Sequence, residues 1–192
     1  LLDALDASPH ADNTIIVLYS DHGFHLGEKL RWTKFSLWER STRVPFIISA
    51  PGFPEGQRCE HPAELLSVYP TLAELCGIPE NPAVEGVSVH PLLKDSAAAW
   101  PHVAVTTHGL NNHAVRDGRY RYIRYHDGSE ELYDMQKDPN EWKNLAAGEI
   151  EPGHATVIED LAKSLPLKNR PSARTPPVKK RGGKGKKGSS AP

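Results

Sequence analysis

The apolar residues of this chain follow two different patterns, and the change between them falls near Pro101. Residues 14–19 (TIIVLY) are apolar or β-branched at odd and even positions alike, which is typical of a strand buried on both faces of a parallel sheet. Residues 44–49 repeat this pattern, with Pro45 at the start of the strand because proline cannot donate to a hydrogen-bond ladder. This part of the chain therefore predicts an α/β core with strands of the parallel type.

Three segments have helical spacing of their apolar residues. Residues 1–5 fit the end of an amphipathic helix. Residues 67–76 predict a second helix, with Ser67 as its N-cap and Gly77 after its last apolar residue. The apolar positions within 157–165 predict a third helix, which Pro166 ends.

Short candidate strands separated by turn signals follow Pro101. They span residues 103–106, 112–116, 119–125 and 130–133. Asp117-Gly118 lies between the second and third of these strands and is a two-residue hairpin signal. The pattern predicts a small antiparallel meander, which together with the third helix forms an α+β subdomain.

These patterns divide the chain into three parts. Residues 1–98 are the α/β core portion, 99–167 are the antiparallel subdomain with its terminal helix, and 168–192 are a basic tail whose composition predicts disorder. The tail holds nine of the 23 basic residues and no acidic residue, so 1–167 carry 14 basic against 24 acidic residues, a net charge of −10. An acidic globular part argues against nucleic-acid binding by its general surface.

The tail leaves two interpretations open, a contact with nucleic acid or polyanionic glycans, and an unstructured solubilising end. No apolar stretch approaches the roughly 20 residues of a membrane span. Cys59 and Cys76 form no metal-binding motif, and we expect two free thiols. The chain starts with Leu1 inside a predicted helix and shows no signal peptide, so we expect a piece of a longer protein whose compartment cannot be read from it.

Asp21 and His22 follow directly on the first predicted strand, where groups that do chemistry commonly lie in open α/β sheets. A carboxylate oxygen suits Ca²⁺ or Mg²⁺, and a neutral imidazole nitrogen can complete the ligand shell. Gly23 would let the two side chains converge. The alternative is that Asp21 caps the next turn and His22 packs against it.

Lys34 lies 12 residues after His22 and can donate hydrogen bonds to the non-bridging oxygens of a sulfate or phosphate ester. The alternative is a solvated surface lysine. His25 and Trp32 either line a substrate cleft or pack within the loop. The charged residues Glu28, Arg31 and Arg43 are expected to form structural ion pairs, and His108 and His113 lie in a Gly- and Asn-rich loop that could reach the cleft.

An ordered set of motifs resembles the C-terminal part of the type I sulfatases, in particular the iduronate-2-sulfatase branch and its bacterial relatives. The set comprises Asp21-His22-Gly23, Leu26-Gly27-Glu28, Lys34, Arg43-Val44-Pro45 and Pro51-Gly52, followed by Tyr69-Pro70-Thr71-Leu72 with Gly77, Glu131-Leu132-Tyr133-Asp134, Asp138-Pro139 and Asn144-Leu145. The resemblance covers about residues 1–146, and its specificity lies in the order of the motifs.

The resemblance implies an alkaline-phosphatase-like α/β core, of which this chain holds the C-terminal portion, with a small antiparallel α+β subdomain. It implies one Ca²⁺ ion held partly by Asp21 and His22, and a contact between Lys34 and the sulfate group of a sulfated sugar or other small sulfate ester. In such enzymes a hydrated formylglycine attacks sulfur and the ester alcohol departs, and the metal polarises the sulfate oxygens. A periplasmic or secreted location is also implied.

The chain departs from the family pattern at the nucleophile. No Cys or Ser is followed by x-Pro/Ala-x-Arg, no two aspartates are adjacent, and the catalytic histidine of the earlier half has no counterpart. We therefore expect the remaining metal ligands to lie in the absent N-terminal half and the isolated chain to be inactive. Two other functions stay open, a phosphonate or phosphate monoester hydrolase of the same superfamily and a non-catalytic remnant that binds polyanions.

Overall fold

The computed structural model describes residues 1–170, and its largest sheet is a four-stranded antiparallel meander. The strands are β3 (Ala104–Thr107), β4 (His113–Arg116), β5 (Tyr120–Arg124) and β6 (Glu130–Asp134), hydrogen-bonded in chain order. Val105 pairs with Val115, which pairs with Tyr122, which in turn pairs with Leu132. The predicted meander is confirmed, with strand ends shifted by at most one residue.

Each face of this sheet is covered by a different part of the chain. Val115, Tyr122 and Leu132 alternate onto one face and pack against α5 (Pro152–Ala162), with Leu161 at the contact. The neighbouring residues of the same strands point to the other face, where Leu37 from the N-terminal half covers them. The buried members of that second cluster are Leu37, Ala114, Ile123, Tyr133 and Met135. The period-2 pattern thus places one core on each side of the meander.

The turn between β4 and β5 differs from the predicted two-residue hairpin. β4 ends at Arg116 and β5 starts at Tyr120, so three residues lie in the connection, and Gly118 does not have a positive φ. The carboxylate of Asp117 instead accepts hydrogen bonds from the backbone N–H groups of Arg119 and Tyr120. An Asx-type turn of this kind closes the hairpin without a left-handed glycine.

The pairing of the two N-terminal strands also differs from the prediction. The strands β1 (Ile16–Tyr19) and β2 (Phe46–Ser49) pair with each other in an antiparallel two-stranded sheet, not in the parallel type expected. Leu18, Tyr19 and Ile47 are each more than half exposed, so neither strand is buried on both faces by residues 1–170. An unbroken apolar run indicates that burial is favourable, but it does not specify the direction of pairing or the covering element.

The remaining helices are short. They are α1 (Leu2–Asp6), α2 (Glu39–Thr42), α3 (Val68–Leu75) and α4 (His90–Lys94), with 3₁₀ turns at Ala11–Asn13, Glu28–Leu30 and Leu65–Ser67. The helix predicted over 67–76 is α3, and Gly77 follows it with φ at 65°. Ser67 occupies the N-cap position as predicted, but its side chain makes no cap bond, and its carbonyl accepts the Thr71 hydroxyl. The last predicted helix, α5, starts at Pro152 and ends before Pro166.

Several sequence predictions concern the ends and the surface of the chain. Most of the basic tail, residues 171–192, lies outside the described residues, and the division at residue 98 stays a prediction. Cys59 and Cys76 are both free thiols as expected, although both are exposed rather than buried. Within residues 1–170 there is no helix with the length and apolar character needed to cross a bilayer.

The core on the α5 side of the sheet generates a stability prediction. Leu132 has no exposed surface and lies in the centre of this core, whereas Leu167 is 98% exposed. We expect Leu132→Ala to lower the free energy of unfolding by about 2–5 kcal/mol, because the truncation removes buried methyl groups and leaves a cavity. The matched control Leu167→Ala should change it by less than about 0.5 kcal/mol. Urea denaturation of both variants measures the difference, and equal effects would show that the α5 core is not formed.

Candidate functional site

Asp21 and His22 converge at the end of β1. Their side chains are exposed to 83% and 33%, and Oδ2 of Asp21 lies 3.4 Å from Nε2 of His22. Nδ1 of His22 lies 2.7 Å from the carbonyl oxygen of Gly23, and the Ser20 hydroxyl donates to the carbonyl of His22. The chain therefore turns sharply after β1, and two adjacent side chains that would diverge in a strand meet on the same side.

Gly23 fixes this turn against the 40–43 region of the chain. Its N–H donates to the carbonyl of Ser41 over 2.9 Å, and a Cβ at this position would lie only 2.0 Å from the carbonyl oxygen of Arg40. No side chain fits into that gap. The glycine is needed because two backbone segments approach each other closely here, and not because of a positive φ. This close approach fixes the position of the turn that carries Asp21 and His22.

The donor set at this turn suits a hard cation. Because a carbonyl oxygen can only accept, the bond to Gly23 places a proton on Nδ1 of His22 and leaves a lone pair on Nε2 of the neutral ring. Nε2 and the Asp21 carboxylate are then two ligand atoms 3.4 Å apart, a spacing at which both can contact one ion. Within residues 1–170 no third His, Cys, Asp or Glu joins them in a metal-binding cluster. The described part of the chain therefore offers two ligand groups, the Asp21 carboxylate and Nε2 of His22.

Lys34 lies beside a contact that links the N-terminal half to the meander. Its Nζ is 5.6 Å from the centre of the Phe35 ring, and Phe35 stacks on His108 with ring centres 5.7 Å apart. His108 is in the β3–β4 loop, where its N–H bonds to the carbonyl of Asn112. His108 thus contacts the segment that carries Lys34, which is itself partly exposed, and the approach of this loop to a substrate cleft stays a prediction.

The two predicted cleft residues have opposite environments. Trp32 is 73% exposed, with its indole packed over Gly27, so its face is accessible to a ligand. His25 has no exposed surface: Nε2 lies 2.8 Å from the Ser36 hydroxyl, and the ring packs edge-on against Trp38. Burial lowers the pKa of His25. In this chain His25 is a packing residue, and a direct contact of either residue with substrate stays a prediction.

Two of the three charges expected to form ion pairs do so. Glu28 lies 3.6 Å from Arg40, and Arg43 lies 3.8 Å from Glu39. Arg31 forms no ion pair within residues 1–170, and its guanidinium instead lies 5.0 Å from the centre of the Trp38 ring. The half-exposed pair of Glu28 and Arg40 contributes little to stability by itself.

Lys29 is a site residue that the sequence patterns did not reveal. Its ammonium group donates to the hydroxyl of Tyr133 over 2.9 Å and to the carbonyl of Glu141, and it lies 4.6 Å from the centre of the Trp38 ring. Burial lowers its pKa. Lys29 and Leu30 have φ angles of 51° and 56°, the left-handed region that costs non-glycine residues energy. The contacts of the ammonium group hold this strained turn on the meander.

A buried ion cluster completes the attachment of the 28–39 segment. Arg121 and Glu141 are 3% and 2% exposed, and Nε of Arg121 lies 3.1 Å from Oε1 of Glu141. Arg121 also pairs with the Glu39 carboxylate and donates to the carbonyl of Leu37. Oε2 of Glu141 accepts the N–H of Glu39 over 2.9 Å. Burial raises the pKa of Glu141 to about 7, although Arg121 opposes the shift.

A family model and a curated relative match this chain. The family model is described as N-sulphoglucosamine sulphohydrolase, C-terminal, and it matches residues 27–170. A sulfatase of Formosa agariphila is 48% identical over 146 residues, which cover 76% of this chain and 29% of that protein.

Two solved structures superpose on most of this chain. A 2-O GAG sulfatase superposes with a TM-score of 0.71 at 32% identity, covering 84% of this chain and 37% of the other. The phosphonate monoester hydrolase of Silicibacter pomeroyi superposes with a TM-score of 0.72 at 26% identity, covering 84% and 36%. The chain thus spans about a third of the length of the proteins it matches.

The buried carboxyl of Glu141 generates a pH prediction. Its pKa of about 7 lies above the ordinary value of 4.5, so between these pH values the folded state holds a proton that the unfolded state has released. Stability from this group is therefore present in full below pH 4.5 and is lost as the pH rises to 7, by up to about 3 kcal/mol. We expect Glu141→Gln to remove that slope from the free energy of unfolding.

The measurement is urea denaturation at pH 5, 6 and 7, compared between wild type and variant so that other titrating groups cancel. Glu149 is exposed, and Glu149→Gln serves as the matched control that should retain the wild-type slope. Parallel curves for wild type and Glu141→Gln would contradict the assignment.

Proposed function

The chain belongs to the sulfatase family, and from this premise we propose that it forms one side of the active site of a Ca²⁺-dependent sulfuric ester hydrolase that acts on sulfated carbohydrates. The observation that carries the proposal is the convergence of the Asp21 carboxylate and the Nε2 lone pair of His22 at the end of β1. The shared fold is that of the alkaline-phosphatase-like sulfatases, of which this chain has the C-terminal portion.

Asp21 and His22 would hold the cation, which supplies Lewis-acid polarisation of the sulfate oxygens when bound. The Gly23 carbonyl keeps His22 in the tautomer that presents Nε2, so this nitrogen needs no proton transfer before it ligates. Gly23 itself holds the pair in place by its close contact with Arg40. These residues bind and orient, and they provide no attacking group.

Lys34 would bind the sulfate group. An ammonium group supplies three donors, and a sulfate ester gathers negative charge on its non-bridging oxygens as the bond to the leaving alcohol breaks. Trp32 has an exposed indole face of the kind on which a sugar ring can stack, and we propose it as a substrate contact. His25 is proposed to support the same region from beneath rather than by an exposed surface.

The nucleophile and the other metal ligands are proposed to come from a polypeptide segment outside these 192 residues. This is supported by the absence of a Cys/Ser-x-Pro/Ala-x-Arg motif in the sequence and by the span of about a third of the matched relatives. It follows that the chain by itself should turn over no sulfate ester. A periplasmic or secreted location of the whole protein is part of the same proposal.

A phosphonate or phosphate monoester hydrolase is the second candidate. The specific observation in its favour is the superposition on a phosphonate monoester hydrolase, which is as close as that on the 2-O GAG sulfatase. Asp21, His22 and Lys34 would serve a phosphoryl group equally well, because both esters carry charge on non-bridging oxygens. The sulfatase is preferred because the family model and the 48% identical relative are both sulfatases.

A chimera tests the proposed roles. This chain replaces the matching third of the Formosa agariphila enzyme, and activity is measured on that enzyme's own sulfated substrate and on a phosphonate monoester. We expect the chimera to favour the sulfate ester. Lys34→Ala should lower kcat/KM by about 10²–10³-fold, because a charged donor to the transition state is lost. Lys94→Ala, an exposed lysine on α4, is the matched control and should leave kcat/KM unchanged.

Metal binding is measured separately on the same chimera. Asp21→Asn should weaken Ca²⁺ binding in calorimetric titration by at least about tenfold, because one of the anionic ligands becomes neutral. Unchanged calcium affinity in Asp21→Asn and in His22→Ala would refute the metal assignment. Faster turnover of the phosphonate than of the sulfate ester would favour the second candidate.

A further inference from the structure

A cavity lined by several polar side chains lies at one end of the meander, and its lining residues are separate from those of the proposed active site. It has a volume of about 300 Å³ and lies among the end of β5, the β3–β4 and β5–β6 loops, and the segment after α5. The polar side chains that line it are Asn111, His113, Arg124, His126 and Asn169. None of the residues 21–34 contributes to it, and none of its lining residues is acidic.

His113, one of the lining residues, has an unsatisfied ring nitrogen. The residue is 3% exposed, and Nδ1 is 2.8 Å from the hydroxyl of Thr107. Nε2 is buried and has no hydrogen-bond partner within the described residues. A buried polar group without a partner is destabilising, so a partner from outside the chain would offset that cost. With the Thr107 hydroxyl donating to Nδ1, Nε2 carries a proton and acts as a donor.

Arg124 lies directly beside His113. The two residues are paired across β4 and β5, so their side chains project from the same face of the sheet at neighbouring positions. The side chain of Arg124 is exposed, and among residues 1–170 it forms no salt bridge. Its guanidinium can therefore turn towards the cavity and offer two parallel N–H donors.

The surrounding charges favour an anion. His126 adds a third nitrogen-bearing side chain to the lining. Two carboxylates lie near the cavity: Asp127 accepts hydrogen bonds from the N–H and the hydroxyl of Ser129, and Glu130, which pairs with Arg124 across β5 and β6, accepts the hydroxyl of Tyr122. Neither of them is among the lining residues, so the wall itself presents donors.

We propose that this cavity binds a tetrahedral oxyanion, either a free sulfate or phosphate ion or a sulfate group carried by a glycan, with His113 Nε2 and the Arg124 guanidinium as its main donors. This site is additional to the proposed active site and does not depend on catalysis. Arg is suited to the role because its planar fork matches two oxygens of such an anion, which a lysine would bind only as a point charge.

The test is an NMR titration of the full 192-residue chain with potassium sulfate, followed through the imidazole ¹⁵N–¹H correlations. We expect the His113 resonances to shift and saturate with sulfate, whereas potassium chloride at the same ionic strength leaves them unchanged. Arg124→Ala should weaken sulfate binding at least tenfold. Lys137→Ala removes one charge from an exposed residue beyond the opposite end of β6 and should retain wild-type affinity.

A variant of His113 gives an independent readout. His113→Leu should abolish saturable binding, provided that its near-UV circular dichroism shows a folded chain. Because this residue is buried, Arg124→Ala remains the deciding variant if the leucine variant does not fold. Wild-type affinity in Arg124→Ala, or equal responses to sulfate and chloride, would overturn the proposal.

The source of the anion is resolved by a sulfated disaccharide and its desulfated counterpart. Tighter binding of the sulfated disaccharide than of free sulfate assigns the cavity to a glycan-borne group, and equal binding of the two assigns it to the free ion. Binding of the desulfated sugar with the same affinity as the sulfated one would contradict recognition of the oxyanion.

Discussion

The position of the candidate site depends on the buried ion cluster formed by Arg121, Glu141 and Glu39. This cluster, with the ammonium group of Lys29, fastens the 28–39 segment to the second face of the meander. Without it, two consecutive residues in left-handed conformation would cost about 1–3 kcal/mol each with nothing to offset them. The segment that carries Lys34 therefore takes its shape from a sheet that lies about a hundred residues further along the chain.

Local patterns predicted the parts of the fold that local interactions decide. Short segments between turn signals predicted the four strands of the meander, and apolar spacing within 157–165 predicted the last helix, although α5 ends at Ala162, four residues before Pro166. The same reasoning failed for β1 and β2, because an apolar run reports a preference for burial and contains no information on pairing direction. The prediction for the β4–β5 turn was wrong in detail. The turn was expected to depend on a left-handed φ at Gly118, but hydrogen bonds to the Asp117 carboxylate close it instead.

The candidate site was predictable to the extent that its chemistry lies in adjacent residues. Asp21 and His22 are adjacent in the sequence, and the glycine that follows them predicted the turn that brings their side chains together. Lys29 and Glu141 are 112 residues apart, and each looks like an ordinary surface charge in the sequence. His25 shows a limit of predicting site residues from motifs, because a histidine within such a motif can be a fully buried packing residue.

The contact between Gly23 and the Arg40 carbonyl limits how this site can be engineered. A library that randomises the loop after β1 can vary Trp32 and the exposed positions around it, since these side chains face solvent. Position 23 has to be left out of such a library, because even a methyl group would push the peptide of Arg40 away and widen the turn. Position 32 is thus open to variation, whereas the turn that carries Asp21 and His22 tolerates no added side-chain volume at position 23.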